Sequence, residues 1–332
     1  MQVRERRRSP AQGAVSWAGD GRPGSVAESV DAGAERGHAL ASRRWDPCAG
    51  AVRALIEGGA GAGRKNRSGS TPMDLATRAT GRGVARRPPA STARWVAGAD
   101  GCRAGWVVVL YDRQSGAHLA RVVADFRALL TLPEAPAVIA VDVPIGLQEL
   151  ATAGGRGCEV LARRLLPKRA SSVFSSPTRP ALAAFRAGGD HPAVSAANRG
   201  GVATAPGLSR QTFNILPKID EVDAALTHAT QDAVREVHPE LCFAEANGGA
   251  PMTHAKKTAA GRAERVALLR RIGFQAPLRL LGPRLPKGAK TDDLLDACIA
   301  AWTAERVVRG SALVLPLEPP IDARGLRMAL WR

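Results

Sequence analysis

Two observations predict an α/β domain built on one mixed sheet, starting near residue 94. Three strand-like runs follow one another with short turns between them, the pattern of an antiparallel meander. A short helix and a fourth, continuously apolar run come next, which implies a parallel crossover back into the same sheet.

The first run, Trp95 to Ala99, delivers one carboxylate, Asp100, to its C-terminal end. Gly101 and Gly105 flank the reversal that follows, where a β-carbon would obstruct a tight turn or a close ligand. Trp106 to Tyr111 is almost wholly apolar, as a strand buried on both faces should be. His118–Ala124 reads as the third strand, joined through the hairpin-type turn 112–116. Asp125–Leu132 reads as a helix ended by Pro133. Ala137–Val141 is the fourth strand, rich in β-branched residues and followed by Asp142-Val-Pro-Ile-Gly146.

Residues 147–230 read as an insertion of helices and loops. Cys158–Leu166 is helical, 171–177 and 204–210 are loops, and Pro217–Ala229 is a helix whose acidic start complements the helix dipole. Val234 to Glu240 alternates as a fifth strand. Lys256–Ile272 is a basic amphipathic helix, and Thr291–Val308 is a long helix with Thr291 or Asp292 as its N-cap. Leu313–Leu315 is a short closing strand.

The chain ahead of this pattern is different. Residues 1–90 have no period and are rich in Gly, Ala, Arg, Ser and Pro, with only Ala51–Glu57 hinting at a helix. A disordered leader over residues 1–92 is expected, ahead of a domain over 93–332. No continuous apolar core follows the basic start, as a secretory signal would need. Two other readings stay open for this leader, an organelle transit peptide and a true start at Met73.

The formal net charge is +17 in 332 residues. Residues 1–90 hold 16 Lys and Arg against 8 Asp and Glu; the remaining chain holds 31 against 22. The domain is therefore moderately basic, which favours a polyanionic partner without demanding one. No run approaches the roughly 20 apolar residues of a membrane span. The five cysteines, at 48, 102, 158, 242 and 298, form no CxxC pair, which argues against a zinc ribbon or a thioredoxin-like site. Their odd number and scatter fit reduced thiols in the cytoplasm. Aromatic content of 4% argues against a broad base-stacking platform.

If the first and fourth strands are parallel neighbours, about 4.8 Å apart, Asp100 and Asp142 meet at one end of the sheet. Two carboxylates that close need a cation or a proton between them. Mg²⁺ suits such a place, taking one or two carboxylates plus waters and phosphate oxygens. In Thr291-Asp-Asp-Leu-Leu-Asp296, Asp293 and Asp296 lie three apart on one helical face. Asp296 has apolar neighbours, and a buried carboxylate wants a partner. Each acid also has a plainer reading. Asp100 would accept hydrogen bonds from its turn, and Asp142 would cap a loop. Asp292 and Asp293 would complement the helix dipole, and Asp296 would join a buried salt bridge to an arginine.

Five segments, in this order, carry a resemblance: Gly98-Ala-Asp-Gly-Cys-Arg-Ala-Gly-Trp106, Ala140-Val-Asp-Val-Pro-Ile-Gly146, Glu236-Val-His-Pro-Glu240, the basic run from Lys256-Lys257 through Arg265, and Asp292-Asp-Leu-Leu-Asp-Ala297. Over roughly residues 94–330 the chain resembles the RNase H-like nucleases predicted as domain-of-unknown-function family 429, which are similar to RuvC-class junction resolvases. The resemblance implies a ribonuclease H-like mixed five-stranded sheet of order 3-2-1-4-5, with helices on both faces and the insertion at 147–230. It implies Asp100, Asp142 and Asp296, with Asp293 one turn before, as catalytic acids binding two Mg²⁺ or Mn²⁺ ions, and two-metal hydrolysis of phosphodiesters in DNA or RNA.

Within that reading Glu240 is a further metal ligand from the fifth strand, on the same face as Glu236. His238 is either an assisting base or a structural strand-end residue. Lys168, Arg169, Arg210, Lys218, Lys256 and Lys257 are expected to contact phosphates. The fourth-strand acid of resolvases is often Glu, and Asp142 is one methylene shorter. Two alternatives stand beside the nuclease. In one, an ATP-binding phosphotransferase-like protein uses Asp100–Gly105 as its phosphate turn; against it, the chain has room for one copy of the fold and lacks a Walker pattern. In the other, the chain binds nucleic acid without cutting it.

Overall fold

The computed structural model describes residues 92–332. The leader, the Ala51–Glu57 segment and Met73 lie outside the described residues.

Five strands form the central sheet: β1 (Trp95–Cys102), β2 (Gly105–Asp112), β3 (His118–Val123), β4 (Ile139–Val141) and β5 (Val234–Glu236), in the order β3-β2-β1-β4-β5. β1 pairs antiparallel with β2, and β2 with β3. β4 is parallel to both β1 and β5. This is the mixed α/β sheet and strand order expected. β1 runs further than its apolar stretch suggests. Its parallel pairing with β4 stops at Ala99↔Val141, but its antiparallel pairing with β2 continues to Cys102↔Gly105, leaving Arg103-Ala104 as a two-residue turn. Gly105 sits at φ +126, and a β-carbon there would fall 2.0 Å from the Val123 carbonyl oxygen, so only glycine fits.

Eight α-helices are described: α1 (Phe126–Leu130), α2 (Gly157–Leu165), α3 (Arg179–Arg186), α4 (His191–Arg199), α5 (Arg210–Ala225), α6 (Pro239–Ala246), α7 (Ala259–Arg271) and α8 (Thr291–Arg309). None of the helices in the described residues is long and apolar enough to cross a membrane. The central strands are buried on both faces, and strand alternation divides the core. Val96, Val107, Val109 and Ala140 face a layer that includes Phe243, Leu269, Leu294 and Ala301, from α6, α7 and α8. Ala97, Ala99, Val108, Ile139 and Val141 face the other way, against Leu129, Leu182, Val194, Leu216 and Ile219 from α1, α3, α4 and α5. Cys102, Cys158, Cys242 and Cys298 are buried and unbridged.

Several boundaries differ from the sequence reading. The helix expected from Pro217 begins at Arg210, with the Ser209 side chain accepting from the Thr212 amide, and Pro217 lies inside it. Proline has no amide hydrogen to complete that turn, but Leu216, Ile219 and Val222 are buried on either side of the gap and hold the helix to the sheet. The fifth strand is only three residues long. Pro239 opens α6, where its fixed φ and missing N–H suit a first turn. α7 starts at Ala259, with Thr258 as N-cap, so Lys256 and Lys257 precede it. α3 and α4 were not expected. Each follows a capping residue, Thr178 or Asp190, and has a proline in its first turn, a legible start signal. The closing strand, Val314–Leu315, pairs with Leu330–Trp331 in a separate two-stranded sheet.

Candidate functional site

Strand alternation decides where the acids go. Gly98 and Asp100 lie two apart on β1, on the face packed by α8. Asp142 follows Ala140 by two and takes the same face. The Asp142 amide donates to the Ala99 carbonyl at 3.2 Å, which places Asp142 beside Asp100 where the parallel pairing ends. α8 crosses this face close enough that Gly98 abuts the backbone at Ala297, Ala300 and Ala301. One helical turn earlier, Asp296 is 1% exposed. Asp100, Asp142 and Asp296 each bring a carboxylate oxygen into a group within which all the oxygens lie within 4.8 Å of one another.

Such crowding has an electrostatic cost. Burial, and then the charges of Asp142 and Asp296, raise Asp100 well above the ordinary carboxylate range. Burial pushes Asp142 up to about 8, with Lys256 opposing the rise and Asp296 adding to it. Burial likewise raises Asp296, opposed by Lys256. The Lys256 Nζ donates to Asp296 Oδ2 at 2.7 Å. Burial disfavours the Lys256 charge, but Asp296, Asp142 and Asp100 together outweigh it and hold the ammonium protonated.

The structure does not gather every residue singled out in the sequence. Asp293 lies outside the group of three, and its Oδ2 accepts from the Lys290 amide at 2.8 Å, capping α8. Glu240 comes from the first turn of α6 rather than from a strand, and pairs with Arg265. Glu236 and Glu240 do not share a strand face, because the strand stops at Glu236. Glu236 instead meets Arg156 on the opposite side. His238 is half-buried. Its Nε2 faces the Ser172 carbonyl at 3.1 Å, and Nδ1 has no partner among the described residues. Burial lowers its pKa, so the ring is neutral near pH 7.

The expected phosphate contacts divide as well. Lys256 is in the cluster. Lys218 donates to Glu221 Oε1 at 2.6 Å, and its stem passes against Gly101 at the rim. Arg169 bonds the Met252 and Thr253 carbonyls, so its guanidinium holds a loop. Lys168, Arg210 and Lys257 are exposed.

Two elements of the site were not read from the sequence. The first is Arg156, a buried guanidinium that bonds Glu159 Oε1 at 2.8 Å, Glu236 Oε2 at 2.9 Å and the carbonyls of Ile145 and Gly146. It fixes the loop that follows Asp142. The second is a basic rim. Arg103 is exposed in the β1–β2 turn, and its amide donates to the Gly288 carbonyl at 3.2 Å. That contact brings the 287–290 segment, with exposed Lys287 and Lys290, against the turn. Nothing in one dimension links residue 103 to residue 288.

The donor set can be tested against a divalent cation. All three donors are carboxylates, without cysteine or histidine, which suits Mg²⁺ or Mn²⁺ better than Zn²⁺. Fully ionised, as a cation would hold them, three carboxylates and one ammonium carry a formal charge of −2, which burial disfavours without a counter-ion. Close by, the buried Glu240 Oε2 has no hydrogen-bond partner among the described residues, and the Glu240 charge reaches Asp142 and Asp296. Both the uncompensated charge and the orphaned oxygen fit a hard cation.

No curated protein and no solved structure matches the chain. Residues 98–321, from β1 past the end of α8, match the family model described as "Protein of unknown function (DUF429)". That match takes in more than half of the chain and all three clustered aspartates, and the chain belongs to the DUF429 family.

Proposed function

We propose that this chain is a metal-dependent nuclease, hydrolysing phosphodiester bonds in DNA or RNA on a ribonuclease H-like scaffold. The observation that carries the proposal is the convergence of Asp100, Asp142 and Asp296, from two adjacent parallel strands and one helix, within 4.8 Å. Asp100, Asp142 and Asp296 would hold a divalent ion, which would supply Lewis-acid assistance to a phosphoryl oxygen and an attacking water. The chain does the rest. Asp100 and Asp142 are fixed by the strand ends, and Asp296 by the buried helix, so the position of the reacting phosphate is set before substrate arrives. Arg103, Lys257, Lys287 and Lys290 are exposed cations for the flanking phosphates. The unbridged, buried cysteines support a place in the cytoplasm.

The test is cleavage of labelled single- and double-stranded DNA and RNA by the purified chain with Mn²⁺ or Mg²⁺. Cutting is expected to stop with EDTA and with Asp100→Asn. Equal trace cutting by wild type and Asp100→Asn would mark a contaminant and sink the nuclease reading. A second reading is favoured by one observation, the 2.7 Å pair between Lys256 and Asp296. In that reading the lysine is only a structural counter-ion and the protein binds nucleic acid without cutting it. Binding that survives Asp100→Asn, with no metal-dependent cleavage by either protein, is its expected signature.

A further inference from the structure

The resemblance noted in the sequence implies two divalent ions, but the charges on this face are already partly balanced. Lys256 lies in the segment between α6 and α7 and reaches in from the solvent side: its side chain is 37% exposed, against 1% for Asp296. It bonds Asp296 Oδ2 at 2.7 Å and acts electrostatically on Asp142 and Asp100 as well. The ammonium therefore stands within the field of all three acids. Glu240 also acts on the cluster, but Arg265 is paired with it and acts in the opposite sense, so the pair adds no net charge to the count.

We propose that the Lys256 ammonium takes the second cation position of the cluster, so that the protein binds one divalent ion and not two. This rests on the metal-site reading above and deepens it. Three carboxylates and one ammonium need two further positive charges, which is one divalent ion. Two ions sharing such a site sit about 3.5–4 Å apart. A second ion would have to lie in the space between Asp296 and its neighbours that Lys256 enters, and the ammonium repels it. Lysine also suits the place chemically, as a compact, strongly hydrated point charge with three donors for phosphate oxygens once a substrate is present.

The experiment is a Mn²⁺ titration of the full chain, read by calorimetry for stoichiometry and by electron paramagnetic resonance for spin coupling between neighbouring ions. Wild type is expected to bind one ion per chain with the spectrum of an isolated Mn²⁺. Lys256→Ala is expected to bind two, with exchange-coupled lines. Lys256→Arg, which keeps the charge, should stay at one. Lys256→Gln keeps a donor for Asp296 without the charge and should also bind two, which covers the case in which the alanine variant fails to fold. Two coupled ions in wild type, or one ion in both Lys256→Ala and Lys256→Gln, would overturn this inference and leave the metal site standing. No binding by wild type at millimolar Mn²⁺ would overturn the metal site itself.

Discussion

Gly98 of β1 and Ala301 of α8 meet backbone to backbone, so closely that a β-carbon on Gly98 would fall 2.0 Å from the Ala301 amide nitrogen. This contact sets the height of the helix above the sheet. Asp100 is two residues further along the strand, and Asp296 is a little over one turn back along the helix. Gly98→Ala must push them apart. The expected cost is about 3 kcal/mol in urea denaturation, at the upper end for overpacking, with Mn²⁺ affinity reduced about tenfold. An unchanged affinity in a folded variant would show that the cluster does not depend on this spacing.

Asp100→Asn and Asp296→Asn should separate in stability although both abolish cleavage. Burial, and then the charges of Asp142 and Asp296, disfavour an ionised Asp100, so a neutral amide removes the cost of ionising that position in the metal-free protein, and the melting temperature at alkaline pH should rise by a few degrees. Asp296 is the hydrogen-bonded partner of Lys256. Its loss leaves a partly buried ammonium with weaker compensation, and the melting temperature should fall. Calorimetry in EDTA at pH 8 distinguishes the two, and parallel shifts would refute the assigned electrostatics.

Arg156 is the buried centre of a network with Glu159 and Glu236. Arg156→Ala leaves two carboxylates uncompensated, and breaking a buried pair in this way costs about 3–5 kcal/mol. Cleavage should fall as well, because the Ile145 and Gly146 carbonyls lose the guanidinium that anchors the loop after Asp142. A loss below 1 kcal/mol by urea denaturation would contradict this role.

His118 lies between the Tyr111 and Phe274 rings, with centroids at 5.0 and 4.0 Å. Burial lowers its pKa from 6.5 to about 4. Between those values the unfolded chain takes up a proton that the folded chain refuses. The stability contributed by neutral His118 is therefore complete above pH 6.5 and is lost as pH falls toward 4. Because the ring is only partly buried, the effect is of order 1–2 kcal/mol. His118→Phe should flatten the stability–pH curve across that window, and an unchanged slope would place the titration elsewhere.

Much of the strand layout was legible because strand periodicity is local. The apolar run Trp106 to Tyr111 and the short run ending at Val141 announce buried strands, and the acids after them follow from the parallel pairing. Asp296 was legible as a carboxylate among apolar residues on a long helix. Its partner was not. The sequence argues for an arginine or a metal, and the structure supplies Lys256, from a segment whose reach depends on how α7 packs. At the start of α6 the alternation in Val234 to Glu240 masks the helix signal of Pro239. Arg156 and the approach of Gly288 to Arg103 carry no local signal; they exist only once the sheet is closed.

The buried thiols noted above offer a built-in clock for local opening. Burial pushes Cys158 and Cys242 up to about 12 and raises Cys298 as well, so an alkylating reagent meets few thiolates while the packing is shut. Cys158 belongs to the small cluster around α2, whereas Cys102, Cys242 and Cys298 belong to the core layer that α8 forms with the sheet. In a Cys48→Ser background, the labelling rates of these two groups would report separately how often each region breathes.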